Sequence, residues 1–99
     1  MSLPIRLRPE VVHDISQSAN WYNEQRDGLR DEFAASAYNA FNEIAKRPMS
    51  FPAAAGKVRR ALMRRFPYAI YFRVDADALL ILAVIHAARS PRAWKRRLK

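Results

Sequence analysis

RRALMRRFPYAIYFRVDADALLILAVIHAAR, residues 59–89, holds most of the chain's strand signal and much of its positive charge. It divides into a basic stretch, a Phe66-Pro67-Tyr68 break, an aromatic stretch, an acidic turn and an apolar run that ends on His86. Tyr68, Ile70, Phe72 and Val74 alternate with Ala69, Tyr71 and Arg73, the period-two pattern of a half-buried strand. Asp75, Ala76 and Asp77 then make a short hairpin turn. Residues 79–85, LLILAVI, are apolar at every position, as in a central strand covered on much of both faces. Residues 58–65 read as a basic strand, and Pro67 biases Phe66 toward an extended conformation. Alternation sets Arg60 and Arg64 on one face with Leu62, and Arg59 and Arg65 on the other with Ala61 and Met63. Alternation alone does not decide which pair meets solvent. A strand charged on both faces is most simply an edge strand, where charge also blocks unwanted pairing.

Before this unit, Leu3, Ile5 and Leu7 alternate with Pro4, Arg6 and Arg8, which predicts a short strand with Pro4 at its start or on an edge. Pro9 suits the first turn of a helix. Residues 10–27 carry Val12, Ile15, Ala19 and Tyr22 at helical spacing, with Val11 and Trp21 at the margins, and Gly28 stops the helix. A second helix is expected over 29–46, with Leu29, Phe33, Ala37, Phe41 and Ile44 on one face, Ala40 beside them, and Pro48 after its end. Residues 49–56, MSFPAAAG, read as a loop, with Phe51 reaching the core. After residue 89, Ser90-Pro91 suits a cap and first turn for a short helical segment that leads into the basic tail KRRLK. The expected fold class is therefore α+β. A β-α-α-β-β-β order lays an αα-hairpin on one face of a small, mostly antiparallel sheet and leaves the other face open for Arg and Tyr side chains.

At 99 residues the chain forms one domain, with a basic C-terminal tail from about residue 90. A 51% hydrophobic and 27% charged composition is that of a globular chain, not a disordered one. Without cysteine, disulfides and thiolate metal sites are excluded, and two histidines far apart form no local metal motif. No metal or cofactor is expected. The opening residues MSLPIRLRPE lack the apolar core of a signal peptide, and the longest apolar run is far short of the ~20 residues that span a bilayer. A cytoplasmic protein without a membrane partner is expected. The net charge of +9 is unevenly spread. Residues 1–50 hold six Lys/Arg against seven Asp/Glu, and residues 51–99 hold twelve against two. That asymmetry implies an anionic partner, nucleic acid or an acidic protein segment, rather than a basic surface that merely aids solubility.

The motifs WYNEQRDGL (residues 21–29), Phe41, Ile44, Pro48, Phe51 and Pro52, RRFPYAIYFRVD (64–75), ILAVIHAARSP (81–91) and Trp94 together resemble the RelE/ParE superfamily of bacterial type II toxins. The resemblance covers nearly the whole chain and is closest to the ParE-like branch, through the Phe-Pro-Tyr break, the strand ending in His86 and the Arg89-Ser90-Pro91 exit to Trp94. It implies a cognate antitoxin whose acidic C-terminal segment wraps the toxin across the helical hairpin and the sheet, in a hetero-oligomer. It also implies one of two targets. ParE-like members poison DNA gyrase; RelE-like members cleave mRNA on the ribosome.

The residues bear on that choice. Metal-free RNA cleavage needs a base, an acid and fixed cations for the phosphate. Arginine serves only the last role, because it does not deprotonate in proteins. Arg60, Arg64, Arg65, Arg73 and Arg89 supply charge; for proton transfer there is His86, with Lys57 or Tyr71 as candidates if their pKa values are perturbed. RelE-like members carry a Tyr or His near the C-terminus, where this chain has Trp94, which cannot move a proton. The set is incomplete for a nuclease and favours a toxin that acts by binding. For the nuclease alternative the candidates are His86, Arg64, Arg73 and Arg89. The candidate antitoxin- or target-binding residues are Arg60, Arg64, Arg65, Arg73, His86, Arg89, Trp94 and Trp21. His86 is also consistent with a purely structural hydrogen bond, Trp94 with a hydrophobic clasp over the sheet, and Trp21 with packing on the second helix. A basic nucleic-acid-binding module is disfavoured, since no helix carries the charge into a groove.

Overall fold

Pro9 begins the first helix because its locked φ suits the first turn and its missing N–H is not needed there. In the computed structural model, which describes residues 2–89 and 91–98, β1 (Ile5–Leu7) leads into α1 (Pro9–Gln25) and α2 (Leu29–Lys46). β2 (Ala53–Ala55), β3 (Val58–Leu62), β4 (Tyr68–Asp75) and β5 (Ala78–His86) follow, and α3 (Arg92–Lys95) with one 3₁₀ turn ends the described chain. The sheet order is β1-β5-β4-β3-β2; β1 runs parallel to β5 and every other pairing is antiparallel. No helix among the described residues is long and apolar enough to cross a membrane.

The hairpin of helices turns on Gly28, whose φ of 94° lies where L side chains are strained. A glycine cap has no side chain to satisfy the first N–H groups of α2. Asn23 of α1 does so instead, its Oδ1 accepting from the N–H groups of Gly28 (3.0 Å) and Arg30 (3.2 Å). Val11, Ile15 and Ala19 of α1, with Phe33, Ala37, Phe41, Ile44 and Ala45 of α2, press on Ile70, Phe72, Leu79, Ile81 and Val84 of the sheet. Val11 rather than Val12 is the buried member of the α1 stripe; Val12 is exposed. Phe33 is the hub of an aromatic cluster, with Tyr22 stacked at 5.5 Å and Phe66 and Tyr68 edge-on at 5.0 Å each. Phe51 packs edge-on against Phe72 at 5.8 Å, holding the connection after α2 to the core.

Burial pushes the Tyr22 phenol above its ordinary pKa, and neighbouring Tyr68 adds to the shift. A raised folded-state pKa means the contribution to stability is intact below the unfolded value and is lost as pH climbs through the folded one. Melting temperature is therefore expected to fall above about pH 10, and Tyr22→Phe to reduce the slope. An unchanged slope in thermal melts across pH 9–11.5 would refute the assignment.

Four expectations are corrected. Residues 49–56 are not all loop: Pro48–Ser50 form a 3₁₀ turn and Ala53–Ala55 form β2, pairing Ala53 with Arg59 and Ala55 with Val58. β3 is consequently not the edge strand; β2 is. The basic strand also ends at Leu62, not near residue 65, because the chain turns back through residues 63–67 and Met63 donates its N–H to the Tyr68 carbonyl at 2.9 Å. Fourth, the sheet face opposite the helices is only partly open. α3 lays Trp94 on it, in a second core with Val58, Ala69, Tyr71, Leu82, Ala83 and Ile85. This explains why 79–85 is apolar at every position: both faces of β5 are covered. The expected capping role of Ser90 falls outside the described residues.

β5 contains a bulge. Tyr71 pairs with Ala83 and Phe72 with Ile81, leaving Leu82 without a partner on β4. The extra residue reverses the alternation, so Val84 faces the helices as Ile81 does, and His86 follows it. β1 stops short of this point, so the outer backbone groups of β5 are met by side chains. Asp14 of α1 accepts the Val84 N–H (3.0 Å), and Arg97 donates to the Leu82 carbonyl (3.1 Å). Arg97 also grips Asp14 through both carboxylate oxygens, at 2.6 and 2.7 Å, and Arg8 donates to the Arg97 carbonyl. Asp14 holds the proton on Arg97 more firmly still, chiefly through their hydrogen bond. The end of the chain is thereby strapped across the edge of β5.

Candidate functional site: a cationic cleft on the sheet

β3 presents Arg60 and Leu62 on the face away from the helices and turns Ala61 and Met63 into the helix-side core, as alternation requires. Arg59 lies on the helix side and is taken up by the turn before β2, donating to the carbonyls of Phe51 and Met49. On the outward face Arg60 reaches Tyr71 on the adjacent strand. Its Nε donates to the phenolic oxygen at 3.2 Å, and its Cζ lies 6.0 Å from the ring centroid. The Tyr71 ring is stacked on Trp94 of α3, 4.7 Å between centroids and 16° between planes. Lys95 sits with its ammonium 5.8 Å from the Trp94 ring. Arg60, Tyr71, Arg89, Trp94 and Lys95, with Ala54, Ala87 and Pro91, line a cleft of about 410 Å³, with no acidic side chain among the described residues that line it.

Of the residues singled out in the sequence, the structure therefore brings together Arg60, Arg89, Trp94 and Tyr71. Arg64 and Arg65 lie beyond the end of β3. Arg65 turns toward α2 and pairs with Glu32 at 3.2 Å, and that hydrogen bond holds the Glu32 carboxyl below the usual carboxylate range. Arg73 faces Asp75 at 3.8 Å and, with Lys57, lines a separate shallow cleft at the β4–β5 hairpin. Trp21 is 55% exposed near the end of α1, edge-on to Tyr22 at 5.0 Å.

His86 is in the wrong place to serve the cleft. It pairs with Tyr68, on the helix-side face, their rings 5.3 Å apart, and its Nδ1 accepts the Ala88 N–H at 3.1 Å. Without the bulge at Leu82 the alternation would carry it to the Tyr71 side. Reading the sequence set Leu62 on the face of Arg60, as found, but missed Lys95 as a member of the cleft and missed the Asp14–Arg97 pair. Lys95 had a signal, sitting next to Trp94; the 83-residue separation of Asp14 and Arg97 had none.

Chemically the cleft suits a bound anion. Among the described residues three cations line it, and the groups able to move a proton are the Tyr71 hydroxyl, already engaged by Arg60, and Lys95.

No protein-family model matches the chain, and no curated protein does. Solved structures do. The chromosomal ParDE toxin–antitoxin system from P. aeruginosa matches with a TM-score of 0.77 at 13% identity, over 86% of this chain and 96% of that one. The toxin–antitoxin complex RelBE2 from Mycobacterium tuberculosis matches with a TM-score of 0.61 at 17% identity, over 87% of this chain and 99% of that one. At such identities the likeness is one of fold, and the fold is RelE/ParE-like: the expected β-α-α-β-β-β order with the short β2 added.

Proposed function

We infer that this chain is the toxin of a bacterial type II toxin–antitoxin pair in the RelE/ParE superfamily, a ParE-like poison of DNA gyrase held silent in the cytoplasm by a cognate antitoxin with an acidic segment. Support comes from a fold shared with the toxin–antitoxin structures ParDE and RelBE2 over most of the chain, together with the family motifs between residues 21 and 94. The single observation that favours binding over cleavage is the position of His86, on the opposite face of the sheet from the cationic cleft. A metal-free nuclease needs its proton-transfer groups within reach of the phosphate its cations hold.

One observation favours the second reading, ribosome-dependent mRNA cleavage. The Tyr71 hydroxyl lies in the cleft beside Arg60, where a phenol polarised by a guanidinium could act on a bound RNA. Tyr71→Phe separates the two, because it keeps the ring stacked on Trp94 and removes only the hydroxyl. A gyrase poison is expected to arrest growth and trap gyrase–DNA cleavage complexes equally well with Tyr71→Phe or His86→Ala. A nuclease relying on the hydroxyl would instead cut mRNA in a translation extract and lose about 10²–10⁴-fold in rate with Tyr71→Phe. Cleavage of mRNA with no effect on gyrase would reject the first reading.

A further inference from the structure

We infer that this protein self-associates through β2: two copies join their edge strands antiparallel about a two-fold axis at Ala53, so that the two sheets run on as one. The inference stands apart from the toxin reading. It is carried by the free backbone of β2, by the contrast between the two edges of the sheet, and by charge.

The backbone comes first. Arg60 donates its N–H to the Pro52 carbonyl at 3.0 Å, so Pro52 and Arg60 are a hydrogen-bonded pair of the β2–β3 ladder. Ala53, opposite Arg59, is then a non-hydrogen-bonded position, and both its N–H and its C=O point away from β3. On that side the sheet has ended, and among the described residues nothing else takes up either group. A residue that offers a donor and an acceptor in the same direction is its own complement. Set opposite itself across a two-fold axis, Ala53 makes both bonds of a closely spaced antiparallel pair with Ala53 of a second copy. Pro52 does not obstruct this, since the donor it lacks would face β3.

The two edges of the sheet differ in what they carry. β1 bears the exposed Arg6 and is bounded by Pro4 and Pro9, the charge and prolines that keep an edge from pairing. β2 is three alanines, with Ala53 and Ala54 exposed, and has neither charge nor bulk to hold off another strand. Apolar side chains border it on both faces. Met49, whose carbonyl Arg59 reaches from the helix side, is 64% exposed, and Leu62 on the other face is 60% exposed. Among the described residues these are the two most exposed large apolar side chains.

Charge names the occupant. An acidic segment would need cations along this edge, but β2 has none, and Arg59 beside it is spent on the carbonyls of Phe51 and Met49. Copies of a chain with net charge +9 repel one another over most of their surface, and an uncharged edge is where two can meet. Across such a pair the two β3 strands are three strand spacings apart, about 14 Å. That exceeds the roughly 8–10 Å over which charges act at moderate salt, so the Arg60 side chains do not oppose the contact. A three-residue strand makes a small interface, of the weak and transient class.

Sedimentation velocity of the full chain across about 5–500 μM tests this, with Ala53→Lys and Ala53→Glu made separately and then mixed. A concentration-dependent dimer is expected for the unaltered chain. Either variant should weaken it about tenfold or more, because like charges then face each other across the axis. An equimolar mixture of the two variants is expected to restore the dimer, since Lys then faces Glu. Circular dichroism verifies that both variants fold. Added salt should tighten association of the unaltered chain by screening its net charge. A chain that stays monomeric throughout overturns the proposal and leaves the edge to an extended segment of another protein. A dimer indifferent to both substitutions, or one the mixture fails to restore, also overturns it, by placing the contact elsewhere or in another register. So does a dimer that salt dissolves, which ion pairs would be holding.

Discussion

Phe33→Ala is expected to remove about 3–5 kcal/mol of folding stability, the range for deleting a fully buried phenylalanine from a core that cannot collapse around the loss. The site is of that kind. Phe33 is 0% exposed and touches three other rings, one from α1, one from the Phe66-Pro67 turn and one from β4. Those elements are held by the sheet and the helix hairpin, so none can move in to fill the space. A domain of this size has only about 5–15 kcal/mol to lose, and the variant should populate unfolded chain at moderate temperature. Phe33→Leu, which keeps most of the volume, is expected to lose under about 2 kcal/mol. Guanidinium denaturation measures both; a loss below about 1 kcal/mol for the alanine variant would mean the cluster repacks.

Asp14→Ala is expected to have the second-largest effect. Removing one partner of a buried ion pair costs about 3–5 kcal/mol. Asp14 and Arg97 retain 10% and 20% exposure, which lowers the expectation to about 2–4 kcal/mol. The loss has two parts: Arg97 is left without its carboxylate, and the Val84 N–H at the bulge is left without an acceptor. Asp14→Asn distinguishes them, since an amide oxygen can still accept from Val84 while the charge is gone, and it should recover part of the loss. Arg97→Met combined with Asp14→Ala should cost less than the sum of the single changes by at least about 1 kcal/mol. Additive losses would show that the two groups act separately.

The helices and the long strands were legible because their signals are local. Gly28 and Pro48 bracket α2, and the alternation from Tyr68 to Val74 marks β4 almost to the residue. Three features were hidden for physical reasons. β2 is three alanines, which carry no alternation and little strand preference; its pairing to β3 is a tertiary event. The bulge at Leu82 lies within a run that is apolar throughout, so a reversal of phase leaves no mark on the pattern. That reversal is why His86 and Tyr71, both proton-transfer candidates in the sequence, end on opposite faces. The third is Trp94. Its burial against Tyr71 follows from α3 folding back over the sheet, and the sequence permitted both that clasp and a target contact. Of the candidate site, the charge asymmetry was visible in the sequence; which three cations share a cleft was not, because Arg60 comes from a strand and Arg89 and Lys95 from the segment after β5.

The strap formed by Arg97 has a consequence for the order in which the protein is made. Its partner Asp14 is made 83 residues before it, and β1 pairs with β5, the last strand described. The 83 residues between Asp14 and Arg97 take on the order of ten seconds to synthesise at bacterial rates of roughly 5–20 residues per second. For most of that interval the helix hairpin lacks β5, the strand against which α1 packs. The strap therefore closes only after β1, both helices and every strand of the sheet have been made. In the toxin reading, that lag gives an antitoxin already present in the cell time to meet a nascent chain whose target-binding surface is still unassembled.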